Sequence, residues 1–240
     1  MSYLFLLLFS LLNPPVQVVL DPGHGGSNLG ARSHDKSVYE KDLTLDLAKR
    51  ISTHLDSLGI TYRLTRSSDR YLTLLNRSTM AKGWKPNCFV SLHFNASQLH
   101  NRQGVEIFYP EESHAPALEE ITKLAGTGRD LMAQKGSVRP LIVGSYLNTL
   151  GKSISSSGSR VFAKKLAWRL LADGFKVRSI KKGDYDVLVG TGTKAILFEG
   201  GFIDNPRESI TMLREATRDR MAASLARGLA ILCRSSNQLY

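Results

Sequence analysis

Two histidines and two glutamates stand at the ends of apolar or helical patterns in this chain. His24 lies in the hexapeptide Asp-Pro-Gly-His-Gly-Gly after one apolar run, and His93 closes another. Glu199 directly follows a third apolar run, and Glu40 precedes a long helical pattern. Two imidazoles and a carboxylate can supply the three protein ligands of a catalytic zinc ion, whose fourth position holds water. A further carboxylate that is not a ligand can move a proton from water to a leaving amine.

These residue types predict that His24, Glu40 and His93 bind one Zn²⁺ ion and that Glu199 is catalytic. Each residue also has a simpler interpretation: His24 as an exposed turn residue, His93 as a satisfied core histidine, Glu40 as a charge that favours the helix dipole, and Glu199 as an ion-pair partner. A glutamate directly after an apolar run is costly to bury unless it is paired or functional. The coincidence of all four positions therefore favours a metal site.

The elements that must position these residues follow from hydrophobic periodicity. Apolar runs predict strands near 16–20, 60–66, 87–93, 104–109, 175–180, 185–189 and 195–199. Helical spacing predicts helices over 40–58, 72–83, 159–172 and about 206–233. This alternation predicts an α/β fold: a single layered domain with a mostly parallel, twisted sheet and helices on both faces. Ligand sites in such sheets lie at the carboxyl ends of the strands.

The domain organisation follows from composition. Residues 16–234 are predicted to form one catalytic domain, in which 111–158 break the alternation and are interpreted as an insertion with a regulatory role. Residues 1–13 form a signal-like hydrophobic segment, which predicts export to a bacterial periplasm or cell surface. The alternative for this segment is an N-terminal core segment of a cytosolic protein.

Charge and cysteine content bound the partners. The net charge of +11 favours anionic partners such as nucleic acid, an anionic membrane or an acidic wall polymer, but the basic residues are dispersed. We therefore expect no nucleic-acid partner, a weak association with an anionic membrane surface, and a monomer.

The two cysteines, Cys88 and Cys233, are too few for a disulfide framework. They are predicted to be buried small hydrophobes, with a single bridge left open.

Five motifs occur in order along the chain: Asp-Pro-Gly-His-Gly-Gly at 21–26, Tyr-Glu-Lys-Asp at 39–42, Leu-Thr-Arg at 64–66, Ser-Leu-His-Phe-Asn-Ala at 91–96 and Phe-Glu-Gly-Gly-Phe-Ile-Asp-Asn-Pro at 198–206. Together they resemble the Amidase_3 family, the zinc-dependent N-acetylmuramoyl-L-alanine amidases of the AmiA, AmiB and AmiC type. The resemblance implies zinc binding by the histidine of the first motif, the glutamate of the second and the histidine of the fourth. These are His24, Glu40 and His93, and the glutamate of the last motif, Glu199, is implied to be catalytic.

The resemblance also implies the reaction: hydrolysis of the amide between the lactyl group of N-acetylmuramic acid and L-alanine of the peptidoglycan stem peptide. It implies a wall-facing location and a role in separating daughter cells. Peptidoglycan is then the partner, and an activator protein is a further one to test. In some family members an inserted helix blocks the zinc site, which is the regulatory role considered for 111–158.

Four more residues complete the predicted site. Asn95, two positions after His93 on the same strand face, and Arg66 are predicted to contact substrate or to support the metal ligands. Ser33 and Lys36 match the Ser-x-x-Lys pattern of penicillin-binding serine enzymes, which leaves a second, D,D-carboxypeptidase activity as an alternative. A noncatalytic wall- or nucleic-acid-binding protein on an amidase-like scaffold is the alternative from another class.

Overall fold

Six strands form one mixed sheet in the computed structural model of the protein, which describes residues 15–110 and 158–234. The strands are β1 (Val18–Pro22), β2 (Tyr62–Leu64), β3 (Cys88–Asn95), β4 (Val105–Pro110), β5 (Val177–Gly183) and β6 (Lys194–Phe202). Their order across the sheet is β2-β1-β3-β6-β4-β5. Neighbouring strands are parallel except for β4 and β6, which are antiparallel. The prediction of a mostly parallel α/β sheet is confirmed.

Helices cover the two faces of this sheet. They are α1 (Glu40–Ser57), α2 (Leu74–Trp84), α3 (158–172), α4 (Asp186–Val189), α5 (Pro206–Met212) and α6 (Glu215–Leu232). Alternate strand residues enter two separate cores, because successive side chains of a strand point to opposite faces. Val18 and Leu20 pack with α1, α3 and α6, whereas Val19 packs with α2 and α4.

Two of the predicted elements were wrong. The run 185–189 is not a strand but contains the short helix α4, whose Val187 and Leu188 side chains are buried. A run this short shows no periodicity that would distinguish a helix from a strand. The single helix predicted over 206–233 is two helices. The Arg218 side chain donates hydrogen bonds to the carbonyls of Met212 and Leu213. These carbonyls at the end of α5 have no partner within the helix, so the arginine stabilises the turn that precedes α6.

Two predicted segments lie outside the described residues. These are the signal-like segment 1–13 and the insertion 111–158, of which only the last residue, in α3, is described. Their roles stay predictions. Within 15–110 and 158–234, no helix combines the length and the apolar character that crossing a membrane requires.

A disulfide joins Cys88 and Cys233 across 145 residues of sequence. Both cysteines are buried, as expected of small hydrophobes, but they are bonded to each other. The bridge ties the first residue of β3 to the C-cap of α6, and the Asn87 amide donates to the Cys233 carbonyl at 2.7 Å. It therefore anchors the strand that carries His93.

Removing this bridge should destabilise the fold. Replacing both Cys88 and Cys233 with alanine is expected to lower the free energy of unfolding by about 2–4 kcal/mol, because the unfolded chain regains the entropy of a long loop. Urea unfolding of the oxidised wild type and the double variant measures the difference. A reductant should lower the wild-type midpoint toward that of the variant and leave the variant unchanged. An unchanged wild-type midpoint under reduction would contradict the bridge.

An ion-pair cluster joins α1 to α6 on the sheet face that carries Val18 and Leu20. Asp46 accepts hydrogen bonds from Arg218 at 2.5 Å and from Arg50 at 2.9 Å. Burial alone would raise the pKa of Asp46, but the two guanidinium groups outweigh it and hold the pKa below its usual value. A carboxyl whose pKa is lower in the folded state stabilises that state above the unfolded pKa, and loses the effect as the pH falls through the folded pKa.

Asp46→Asn is therefore expected to cost about 1 kcal/mol at pH 7, since the pair is partly exposed to solvent. The difference from wild type should shrink as the pH falls below 3.8, the ordinary pKa of an aspartate, and disappear below the lowered pKa of the folded state, where the wild-type carboxyl is itself protonated. Thermal unfolding at a series of pH values measures both variants. Asp219→Asn is the control: the Asp219 side chain is 53% exposed and pairs with His54, and its loss should change stability by less than about 0.5 kcal/mol. A loss in Asp46→Asn that does not depend on pH would refute the assignment.

Candidate metal centre

The ends of β1 and β3 and the start of α1 bring His24, Glu40 and His93 together. Atom Oε1 of Glu40 lies 2.9 Å from Nε2 of His24 and 3.0 Å from Nδ1 of His93. One ligand atom from each of the three residues lies within 4.8 Å of the other two. Because these groups come from segments far apart in the chain, the sheet and not the local sequence creates the cluster.

The donor set fits zinc. Two imidazole nitrogens and one carboxylate are ligands that zinc takes in catalytic sites. Asn28 Oδ1 lies 2.9 Å from Nδ1 of His24, so an Nδ1 proton donated to Asn28 leaves Nε2 free to bind a metal. The second oxygen of Glu40 accepts a hydrogen bond from the N–H of Ala31 at 2.9 Å, which orients the carboxylate. His24, Glu40 and His93 would thus hold the ion.

Electrostatics within the cluster favour an ionised Glu40. Burial would raise the pKa of Glu40, but the hydrogen bonds and charges of His24 and His93 hold this pKa well below its usual range. Burial would lower the pKa of His24, but Glu40 outweighs it and the pKa is raised. A buried negative carboxylate between two imidazoles is a ready site for a cation.

Glycines make room for this close approach. A Cβ atom on Gly23 would lie 2.2 Å from Cε1 of His93, and a Cβ on Gly30 would lie 2.7 Å from both Glu40 and His24. His24 itself has φ of 60°, in the left-handed region that is strained for a residue with a side chain. Gly23 and Gly30 therefore leave the space in which His24, Glu40 and His93 approach one another.

Two buried arginines hold this turn. Arg66, which is fully buried, donates to the carbonyls of Pro22 at 3.0 Å and Gly23 at 2.7 Å. Arg66 therefore supports the turn that carries His24, and its side chain is not accessible to a substrate. Arg77 donates to the carbonyl of His24 at 2.6 Å and to Asp21 at 2.8 Å. Sequence analysis missed Arg77, although an arginine within the helical pattern of α2 was a signal of a buried polar role.

Glu199 lies beside His93 in the parallel register of β3 and β6. Its Oε2 atom is buried and has no hydrogen-bond partner in the described part of the chain. Burial, and then the negative charges of Glu40 and Glu106, raise the pKa of Glu199 well above its usual value. A carboxyl group whose pKa is raised holds a proton more readily than an ordinary glutamate, which suits a general acid–base residue.

Asn95 points to a residue that sequence analysis missed. Its amide donates to Oε2 of Glu106 at 2.8 Å, and no hydrogen bond joins Asn95 to a predicted metal ligand among the described residues. Glu106 is buried and faces Glu199 directly in the antiparallel register of β4 and β6. A glutamate inside the apolar run of β4 was the available signal, because a charge is rarely buried there without a partner.

The Ser-x-x-Lys hypothesis is contradicted by the structure. The Ser33 hydroxyl is buried, donates to Asp35 at 2.6 Å and accepts from the N–H of Val38 at 3.0 Å. The N–H of Lys36 donates to the carbonyl of Ser33, so 33–36 form a tight turn and not the helical turn that would put lysine on the face of the serine. Local hydrogen bonding by Ser33 and Asp35 explains the pattern.

Comparison with known proteins gives the family. The chain matches the N-acetylmuramoyl-L-alanine amidase family over residues 18–230 and belongs to it. Over 235 residues it is 28% identical to a probable N-acetylmuramoyl-L-alanine amidase, AmiB, of Haemophilus influenzae, covering 92% of this chain and 53% of that protein. It is 27% identical over 215 residues to a probable cell wall amidase, LytH, of Staphylococcus aureus, covering 89% and 57%. The chain thus spans little more than half the length of these curated relatives.

A solved structure supports the same relationship. The fold is similar to that of the catalytic domain of CwlV, an N-acetylmuramoyl-L-alanine amidase from Paenibacillus polymyxa, with a TM-score of 0.66 and 26% identity. The match covers 88% of this chain and 94% of that one. The described α/β domain therefore corresponds to an amidase catalytic domain.

The close approach at Gly23 can be tested directly. Gly23→Ala is expected to push the His93 ring away and to weaken zinc binding at least tenfold, because supporting contacts tune metal affinity by about 10–100-fold. Titration with zinc and metal analysis of the purified protein measure the loss. Gly83→Ala is the control, because a Cβ there meets no atom within 4 Å. Equal zinc affinity in Gly23→Ala and wild type would show that the glycine does not serve the site.

Proposed function

We propose that the protein hydrolyses the amide bond between N-acetylmuramic acid and L-alanine of the peptidoglycan stem peptide, with one zinc ion held by His24, Glu40 and His93. The observation that carries the proposal is the convergence of both imidazoles on one oxygen of Glu40, with Glu199 next to His93. Membership of the amidase family and the likeness to the CwlV catalytic domain support it.

The chemistry divides between the ion and the chain. When bound, zinc lowers the pKa of a water molecule and polarises the scissile carbonyl. Glu199 accepts a proton from the attacking water and delivers it to the nitrogen of L-alanine as the C–N bond breaks. The water oxygen stays on the lactyl carbonyl carbon, so the products are a carboxylic acid and a free amine. Glu40 stays ionised throughout, because His24 and His93 surround it.

We further propose that the protein acts outside the cytoplasm. The signal-like segment 1–13 supports export, and the bridge between Cys88 and Cys233 is of a kind that persists in oxidising compartments. The name of the Staphylococcus relative, a cell wall amidase, agrees with a wall substrate. Within this proposal the protein works as a monomer in wall remodelling and the separation of daughter cells.

The remaining partners stay predictions. Weak association with an anionic membrane is supported by the outer face of α3, where Trp168 is exposed beside Lys164 and Lys165. An activator protein, and regulation by 111–158, depend on segments or partners beyond the described residues. The alternative, a noncatalytic binding protein on this scaffold, does not explain why a buried oxygen of Glu199 has no hydrogen-bond partner in the described part of the chain. Activity measurements distinguish this alternative from the proposed enzyme.

The decisive variants are Glu199→Gln and His24→Ala. Glu199→Gln is expected to keep zinc and to lose about 10²–10⁴-fold in rate, because only the proton transfer is removed. His24→Ala is expected to lose both zinc and activity, because one ligand is gone. Metal analysis and dye release from labelled peptidoglycan, with and without a chelator, measure these effects.

The bond that is cut is read from the products. Mass spectrometry of purified muropeptides should show free stem peptides that begin with L-alanine and glycans that end in an intact lactyl carboxylate. Cleavage at any other bond would refute the proposed function. So would activity that survives complete zinc removal, or a normal rate in Glu199→Gln.

A further inference from the structure

A buried carboxylate beside Glu199 has two cationic partners. Glu106 faces Glu199 in the register of β4 and β6, so the two side chains share one face of the sheet. Its Oε1 atom accepts from Lys181 at 2.9 Å and lies 3.3 Å from Nε of Arg178. Ser179 donates to the same oxygen at 2.8 Å. Both oxygens of the Glu106 carboxylate therefore have hydrogen-bond partners. Because two cations face one carboxylate, Glu106, Lys181 and Arg178 together carry one net positive charge.

That charge is accessible. The side chains of Lys181 and Arg178 are 48% and 41% exposed, whereas that of Glu106 is 3% exposed. Within residues 15–110 and 158–234, neither cation forms an ion pair with any acid other than Glu106. An ammonium group with one protein partner still has two N–H donors for a ligand.

Aromatic residues hold Lys181 in place. Its Nζ atom lies 5.8 Å from the centre of the Phe108 ring, and Phe108 packs edge-on against Tyr185 with ring centres 5.2 Å apart. Gly183 leaves room for the Tyr185 ring, because a Cβ there would lie 2.4 Å from it. Phe108 lies two residues after Glu106 on the same face of β4, and Glu106 is in register with Glu199 of β6. Phe108 and Tyr185 therefore lie beside the proposed catalytic group.

The position matches the substrate of the proposed function. Strand β5 is the edge strand and is separated from β6 by β4 alone, so the backbone of Ser179, which is in register with Glu106, lies about 10 Å from that of Glu199 at the usual strand spacing. Lys181 lies two residues further along β5, and its side chain reaches back to Glu106. The stem-peptide residue after L-alanine is D-glutamate joined through its γ-carboxyl group, which leaves its α-carboxylate free. That group lies about two residue lengths, roughly 7 Å, from the scissile bond.

We propose that Lys181, with Arg178 beside it, binds the free α-carboxylate of the second stem-peptide residue and makes that charge a determinant of substrate specificity. The inference rests on the proposed function. A carboxylate accepts charge-assisted hydrogen bonds from both cations, whereas an amide at the same position carries no charge and offers one acceptor oxygen. Stem peptides with D-glutamate are then better substrates than those with D-isoglutamine.

The test compares two muropeptides that differ only in this group, a free α-carboxylate or its amide. With the zinc-loaded full chain, wild-type kcat/KM is expected to be about tenfold higher for the carboxylate, through a lower KM. Lys181→Gln should reduce the preference to less than twofold, because kcat/KM should fall far more for the carboxylate than for the amide. Lys181→Arg should restore most of it. Lys182→Gln is the matched control, because the next residue of β5 is exposed on the opposite face and should keep the wild-type preference.

Two outcomes would overturn the inference while the proposed function stands. One is a wild-type protein that cleaves both muropeptides with equal kcat/KM. The other is a Lys181→Gln variant that loses the same factor on both substrates, which would make Lys181 a structural partner of Glu106 only. A wild-type protein that releases no peptide from either substrate would overturn the proposed function, and this inference with it.

Discussion

Glu40 keeps its carboxylate inside the protein because two imidazoles and the backbone N–H groups of Ala31 and Phe94 surround it. An isolated buried carboxylate costs several kcal/mol, so each partner must be held in position. The rest of the site meets this requirement. Gly23 and Gly30 are small where the imidazoles approach, and buried arginines bind the carbonyls of the turn that carries His24. A cation bound between His24, Glu40 and His93 would supply a positive charge next to the buried carboxylate.

Three carboxylates, from α1, β4 and β6, lie in or beside the candidate site, and their surroundings shift their pKa values in different directions. Glu40 is held ionised by imidazoles, and Glu106 by Lys181 and Arg178, whose contacts keep its pKa below the usual value although burial opposes them. Glu199 has no such partner, and its pKa is raised. Glu40 and Glu106 also contribute to that rise. In the proposed function the same residue type is thus a metal ligand, a partner of cations and a proton carrier, according to which charges face it.

The four central residues could be predicted because each follows or precedes a strong local pattern. An apolar run predicts a strand, and parallel strands end at one edge of a sheet, so residues such as His93 and Glu199 at those ends converge. Prediction failed where local patterns are ambiguous or misleading. The short run 185–189 became helix α4 because packing under the sheet decided its state. The Ser-x-x-Lys pattern at 33–36 arose from turn chemistry, in which a serine and an aspartate bond to nearby backbone and to each other.

Periodicity, turns and apolar runs are local properties of the sequence, and they are enough to predict the fold class, the strand ends and the residue types available for a metal site. Which distant groups meet depends on the folded chain. It set Glu106 opposite Glu199, paired Cys88 with Cys233, and buried Arg77 beneath His24. This is because β6 pairs with β3 on one side and runs antiparallel to β4 on the other, although β3 and β4 come from a distant part of the chain. Contacts across such a sheet depend on strand order and register, which short-range sequence patterns do not encode.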